Sequence, residues 1–191
     1  MNKIEAFFDR FPFLKSEDIA LIHQIAVKKT YQVGDEFIKL GATRKKIGII
    51  QEGLIRGYYI KSSGEEVSIL FAKEGEVAST HELIFYNTPS RQIVEFLEPT
   101  TMLVLDYRDI EQLALTHPGI EQLKNQFIQD YLVKVLQRLE TFLVYTPKER
   151  YQWLMKEEPS FMQRVQQKHL ASFLGITPVS LSRLRSRMNK K

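Results

Sequence analysis

Six side chains near the C-terminal end have the types and spacing to meet a nucleic acid. In residues 178–188, Val179, Ser180, Ser182, Arg183, Arg185 and Arg187 fall on outward or lateral positions of a helical pattern whose Leu181 and Leu184 face inward. The result is a small polar and basic surface of the size that enters a DNA major groove. The plainer reading of the same residues is a surface helix carrying solvated arginines.

The segment before this helix must position it. Leu170, Ala171 and Leu174 lie at helical spacing on one apolar face, Gly175 can take the left-handed backbone of a tight turn, and Ile176 follows as an apolar plug. Thr177 offers a capping hydroxyl and Pro178 suits the first helical position, where no backbone donor is required. The expectation is a helix, a turn and a second helix over residues 167–188.

Charge favours a phosphate partner. Residues 160–191 hold seven Lys/Arg, including Arg164 and Lys168 and the terminal Lys190 and Lys191, and no Asp or Glu. The net charge of +4 is therefore a tail of +7 on a body of −3, the asymmetry of a phosphate-binding module attached to a scaffolding or sensing body.

Other chemistry is narrowed by what is missing. The 191 residues contain no cysteine, which excludes disulfides, thiolate metal sites, iron–sulfur clusters and thiol nucleophiles. Four histidines, at 23, 81, 117 and 169, are far apart, so no metal site and no cofactor is expected. An enzyme built on a rolled sheet would need clustered histidines and a carboxylate, and only His81-Glu82 are adjacent. No apolar run approaches the roughly 20 residues of a membrane span, and the opening MNKIEAFFDRF lacks the basic-then-apolar order of a signal peptide. The protein is expected to be cytoplasmic, with no membrane partner.

The rest of the chain reads as an α+β support. Residues 2–27 look helical, with Ile4, Phe7, Phe8 and Phe11 on one face, a break at Pro12 and Ser16 capping a second helix. Between Lys28 and Asp106, short strand-like runs divided by glycine and proline turns predict a rolled or sandwiched all-β domain, with Ser63-Gly64 at the tip of a hairpin. A short helix to about Thr116 and a break at His117-Pro118-Gly119 precede the longest helical pattern. There Ile128, Leu132, Val135, Leu139 and Phe142 are spaced 4, 3, 4, 3, the rhythm of a two-helix seam. A second stripe, Leu123, Phe127, Tyr131 and Lys134, lies partly to one side, so that one stripe can pack on the β domain while the other meets a partner. Thr146-Pro147-Lys148-Glu149 then supplies a capping box with proline at N1. Three parts result: residues 1–117 as a sensor, 118–145 as a long pairing helix with a hinge at 144–147, and 146–191 as the basic C-terminal domain.

A helical cap, a jelly-roll-like β-roll (double-stranded β-helix), a long helix, a hinge and a helix-turn-helix, in that order, resemble the CRP/FNR family of bacterial transcription regulators over essentially the whole chain. YQVGDEFIKLG resembles that family's opening β-roll signature, EGLIRGYYIKSSGEEV its central hairpin, and LASFLGITPVSLSRLR its recognition segment. The compact length is most similar to Bacteroidetes-type members. The resemblance implies a cyclic-nucleotide-binding-like sensor, a homodimer paired through the long helix, an inverted-repeat double-stranded DNA operator and RNA polymerase as a further partner.

Carried over by position, the resemblance makes Arg183 the arginine that reads a guanine, where a bidentate fork onto O6 and N7 requires a guanidinium. Ser180 and Ser182 sit where short hydroxyl residues bond phosphate or pack close to the backbone, and Thr177 and Pro178 open the same helix. Val179 departs from the glutamate of many relatives, so a cytosine amino group loses its acceptor and a thymine methyl is the expected contact. Lys168, Arg164, Arg185, Arg187 and the terminal lysines are expected on phosphates.

In the β-roll, cyclic-nucleotide-binding relatives carry a Gly-Glu-Leu turn followed some ten residues on by Arg-Ser. This chain has Ala78-Ser79-Thr80-His81-Glu82-Leu83 and then Pro89-Ser90-Arg91. The Gly-Glu is missing and the arginine is displaced by one position, which in a strand points it to the opposite face. A bulge could return Arg91 to the pocket, where Ser79, Thr80 and Ser90 could bond an anion. Val135-Leu136 stand where cyclic-AMP-responsive relatives place hydroxyls for the base. The expectation is a small-molecule effector other than cyclic AMP, or no effector. The alternatives are a cyclic-nucleotide-responsive regulator and a β-roll sensor that acts on protein partners without binding DNA.

Overall fold

A computed structural model describes residues 7–188. The expectations for Ile4, Lys190 and Lys191 lie outside the described residues. The chain order is α1 (Ser16–Ile25), β1 (Val27–Tyr31), β2 (Glu36–Ile38), β3 (Lys46–Glu52), β4 (Ile55–Ile60), β5 (Glu66–Ala72), β6 (Val77–Ala78), a π-helical turn (Glu82–Tyr86), β7 (Ile93–Phe96) and β8 (Thr100–Asp106). The helices α2 (Tyr107–Ala114), α3 (Pro118–Val144), α4 (Pro147–Glu157), α5 (Phe161–Arg164), α6 (Gln167–Leu174) and α7 (Pro178–Met188) follow.

The strands form two four-stranded sheets in the orders β1-β8-β3-β6 and β2-β7-β4-β5. β8 runs antiparallel to both β1 and β3 at the centre of the first sheet. Its alternation feeds two cores. Met102 and Val104 join Phe37, Ile50, Val94 and Phe96 between the sheets, while Leu103 and Leu105 join Phe7, Phe11, Ile22, Ile120 and Leu123 under the helices. A period-two strand that is apolar on both faces is therefore covered on both, which accounts for the unbroken run TMLVL.

The described residues divide into two compact units, 7–57 with 71–131 and 58–70 with 132–188. In the first, Phe127 of α3 meets the rings of Phe7 and Phe11 at 6.0 and 5.7 Å, and Leu123 is buried beside them. Of the two stripes on α3, the one with Leu123 and Phe127 is thus packed within this unit. α1 starts at Ser16, but its hydroxyl is not the cap. The Asp18 carboxylate instead accepts from the Lys15 amide at 2.9 Å, closing the first turn from inside the helix.

In the second unit, α4 opens with the expected capping box. Thr146 Oγ1 accepts from the Glu149 amide at 3.4 Å, and Glu149 accepts from the Thr146 amide at 2.7 Å. Tyr151, Leu154, Phe161, Val165, Leu170, Ala171, Phe173, Leu174 and Leu181 form its core. The tip of the β4–β5 hairpin belongs to this unit. β5 is a sheet edge, and Ser172 of α6 covers it: its hydroxyl accepts from the Ser68 amide and donates to the Glu66 carbonyl, each at 3.0 Å.

Candidate functional site

The basic helix is held by a turn built as its sequence requires. Gly175 has φ of +69°, and a Cβ there would come within 2.7 Å of the Phe142 ring, so both the backbone angle and the close approach demand glycine. Thr177 Oγ1 accepts from the Ser180 amide at 3.1 Å and lies 2.9 Å from Ser180 Oγ, fixing the start of α7. Leu181 is fully buried beneath the helix, and Leu184 is half-buried.

The opposite face is open. Pro178, Val179, Ser180, Ser182, Arg183 and Arg187 are exposed, as is Lys168 on α6. Arg185 is turned inward: Nε donates to Tyr151 Oη at 3.2 Å, and the guanidinium sits 5.9 Å from that ring. Arg164 is half-buried. The arrangement gives one exposed arginine at the middle of the helix and one near its end, flanked by hydroxyls, with a third arginine tying the helix to α4.

The residues expected to form the effector pocket are brought together on the first unit, but three of the four have spent their polar groups on the protein. Ser79 Oγ donates to the Lys46 carbonyl at 2.9 Å. Ser90, 1% exposed, lies 3.1 Å from Thr80 Oγ1, at 3% exposure, and 2.8 Å from the Gln92 carbonyl. Arg91 is exposed and lies 3.6 Å from the carboxylate of Glu82, a residue only 1% exposed.

Glu82, with His81 and Tyr131, carries the centre of this cluster. The same carboxylate oxygen is 3.6 Å from His81 Nε2, and His81 Nδ1 is 3.4 Å from the Tyr131 hydroxyl on α3. Burial, with Glu82 and then Tyr86 adding, pushes the Tyr131 phenol above its ordinary value, so it stays neutral. The adjacency of His81 and Glu82 is visible in the sequence. The π-helical turn that buries Glu82 is not, because nothing in ELIFY separates one extra residue per turn from an ordinary helix.

On α3, Ile128 is half-buried, while Leu132, Val135, Leu136 and Leu139 are exposed. Phe142, 41% exposed, packs beside Gly175. Among the described residues no group of three His, Asp or Glu could hold a metal ion, and no helix is long and apolar enough to cross a membrane.

Two four-stranded sheets, a long helix and a basic helix-turn-helix are the parts the chain presents. Residues 28–117 match the cyclic nucleotide-binding domain family. No curated protein matches the sequence. FixK2 from Bradyrhizobium japonicum is 16% identical, with 87% of this chain and 85% of that one covered at a TM-score of 0.74. The c-di-GMP-responsive global regulator CLP of Xanthomonas campestris is 13% identical, with 92% of each chain covered and a TM-score of 0.73. A transcriptional regulator of the CRP/FNR family from Eubacterium rectale is 13% identical over 96% of this chain and 88% of its own, with a TM-score of 0.74. The fold is that of the CRP/FNR regulators, and the stretch that matches the cyclic nucleotide-binding domain family, residues 28–117, covers its β-roll.

Proposed function

We propose that this protein is a homodimeric, sequence-specific DNA-binding transcription regulator whose β-roll takes an effector other than cyclic AMP. The observation that carries the reading is the outward face of α7. Val179, Ser180, Ser182, Arg183 and Arg187 are exposed together on a helix whose opposite side is anchored by Leu181. Arg183 reads a guanine with its two-pronged donor set, Val179 meets a thymine methyl, and Arg187 and Lys168 neutralise phosphates.

Dimerisation follows from α3. Leu132, Val135 and Leu139 repeat at seam spacing and stay exposed on a single chain, and a second copy of the same stripe is the self-complementary partner a two-fold axis supplies. The two copies of α7 then enter successive major grooves about one helical turn apart and read an inverted repeat. The effector site argues against cyclic AMP, because a phosphate set on Arg91 would stand beside the buried Glu82 carboxylate and meet like charge. The family match over residues 28–117 favours a second reading, in which the effector is still a nucleotide and must displace Glu82 from Arg91.

The test is Arg183→Ala on duplexes selected from a random library. The variant should lose about 1–3 kcal/mol at one base pair while its binding to random duplex is little changed. An unchanged ratio of specific to random binding would remove Arg183 from the reading face.

A further inference from the structure

The end of α6, on which the recognition helix pivots, is held by a ladder of rings and guanidinium groups from outside the helix-turn-helix. Arg138 of α3 lies 3.6 Å from the centroid of the Phe173 ring and 4.3 Å from that of Phe142. Its Nη2 donates to the Phe173 carbonyl. Arg150 of α4 lies over Phe142 at 4.6 Å, donates from Nε to the Leu174 carbonyl at 3.0 Å, and donates from Nη1 to the Tyr145 carbonyl at 2.8 Å. Two arginines thus take two of the last carbonyls of α6, which have no partner inside their own helix and which form the negative end of its dipole.

The ladder spans residues 144–147, the segment whose sequence reads as a hinge. Helix α3 ends at Val144 and α4 starts at Pro147, so only two residues separate them. Arg138 stands before this joint and Phe173 well after it. Phe142, also before it, fills the space left by the missing side chain of Gly175. Burial, with the neighbouring Arg150 adding, lowers the Arg138 guanidinium to about 9, which leaves it charged at neutral pH.

We propose that Arg138 is a positioning residue for DNA recognition, fixing the helix-turn-helix to the long helix by its stack on Phe142 and Phe173 and its bond to the Phe173 carbonyl. The recognition helix then inherits its direction from α3 rather than swinging freely at residues 144–147. This rests on the regulator reading, because in a dimer paired through α3 the direction of each α7 sets the half-site spacing that both can occupy. The Arg138 guanidinium is engaged by Phe142, Phe173 and the Phe173 carbonyl, so its effect falls on spacing rather than on base identity.

The test uses the full chain with Arg138→Met, which keeps an apolar stem between the two rings, and with Arg138→Lys, which keeps a donor and the charge. On the best selected duplex, Arg138→Met should lose about tenfold in affinity as the desolvated cation–π stack disappears. Its preference for that half-site spacing over spacings one base pair longer or shorter should flatten, with random-duplex binding unchanged, and Arg138→Lys should recover part of both. A loss equal at every spacing, or no loss, would overturn the assignment. Amide hydrogen exchange without DNA reads the same contact independently: Arg138→Met should speed exchange at Gly175 and Ile176, and unchanged rates there would also overturn it. If the wild-type chain binds no duplex, the regulator reading fails, while the exchange measurement still decides whether Arg138 holds the turn.

Discussion

At the scale of single residues, the site divides by whether a polar group is already occupied. Arg183 and Arg187 are exposed on α7, whereas Arg185, two residues along the same helix, is turned inward to bond Tyr151. Helical spacing places all three on outward or lateral positions, and only the partner across the domain distinguishes them. Ser79, Thr80 and Ser90 are recognisable in the sequence as hydroxyls near the pocket, but their bonds to Lys46, Gln92 and each other depend on contacts up to 33 residues away. Since these groups are spent and Arg91 faces Glu82, millimolar cyclic AMP should leave the melting temperature unchanged. A ligand binding only the folded chain at a hundredfold excess over its Kd would add about 2.7 kcal/mol, so a clear upward shift would show that Arg91 exchanges Glu82 for a phosphate.

At the scale of elements, boundaries marked by local chemistry were legible and those set by tertiary packing were not. The α4 capping box, the Gly175 turn, the Thr177 cap and the Ser63-Gly64 hairpin all depend on residues within three or four positions of one another, and all are present. β6 is two residues long and the π-helical turn carries no pattern of its own, so neither could be read. The Ser16 cap gave way to Asp18 because a carboxylate reaching back to Lys15 closes the same turn.

The α4 cap also has a pH signature. The Thr146 amide and hydroxyl hold Glu149 below its ordinary value of 4.5. A carboxyl lowered on folding stabilises the fold above its unfolded pKa, and that contribution is lost as pH falls through the folded value. Thr146→Ala should cost about 1 kcal/mol at neutral pH; the alanine amide still bonds Glu149, so only the share carried by the hydroxyl should be lost on acidification, narrowing the gap in melting temperature from wild type in part below the ordinary carboxylate range. A gap that stays constant with pH would separate the cap from Glu149.

At the scale of the whole molecule, the charge asymmetry and the order of elements were the strongest sequence signals, and the comparisons agree with the architecture they imply. On the proposed function, a basic tail on an acidic body should make duplex binding weaken steeply with added salt. The contacts that join α3 to the helix-turn-helix were beyond sequence reasoning, because Arg138 sits on a helix face that periodicity leaves polar and unassigned. The most direct test of the account is selection of duplexes from a random library at low salt, followed by the stoichiometry of the complex on the enriched sequence. The account predicts an inverted repeat with half-site centres about 10 base pairs apart, bound by two chains. No enriched sequence, or one chain on a single half-site, would contradict it.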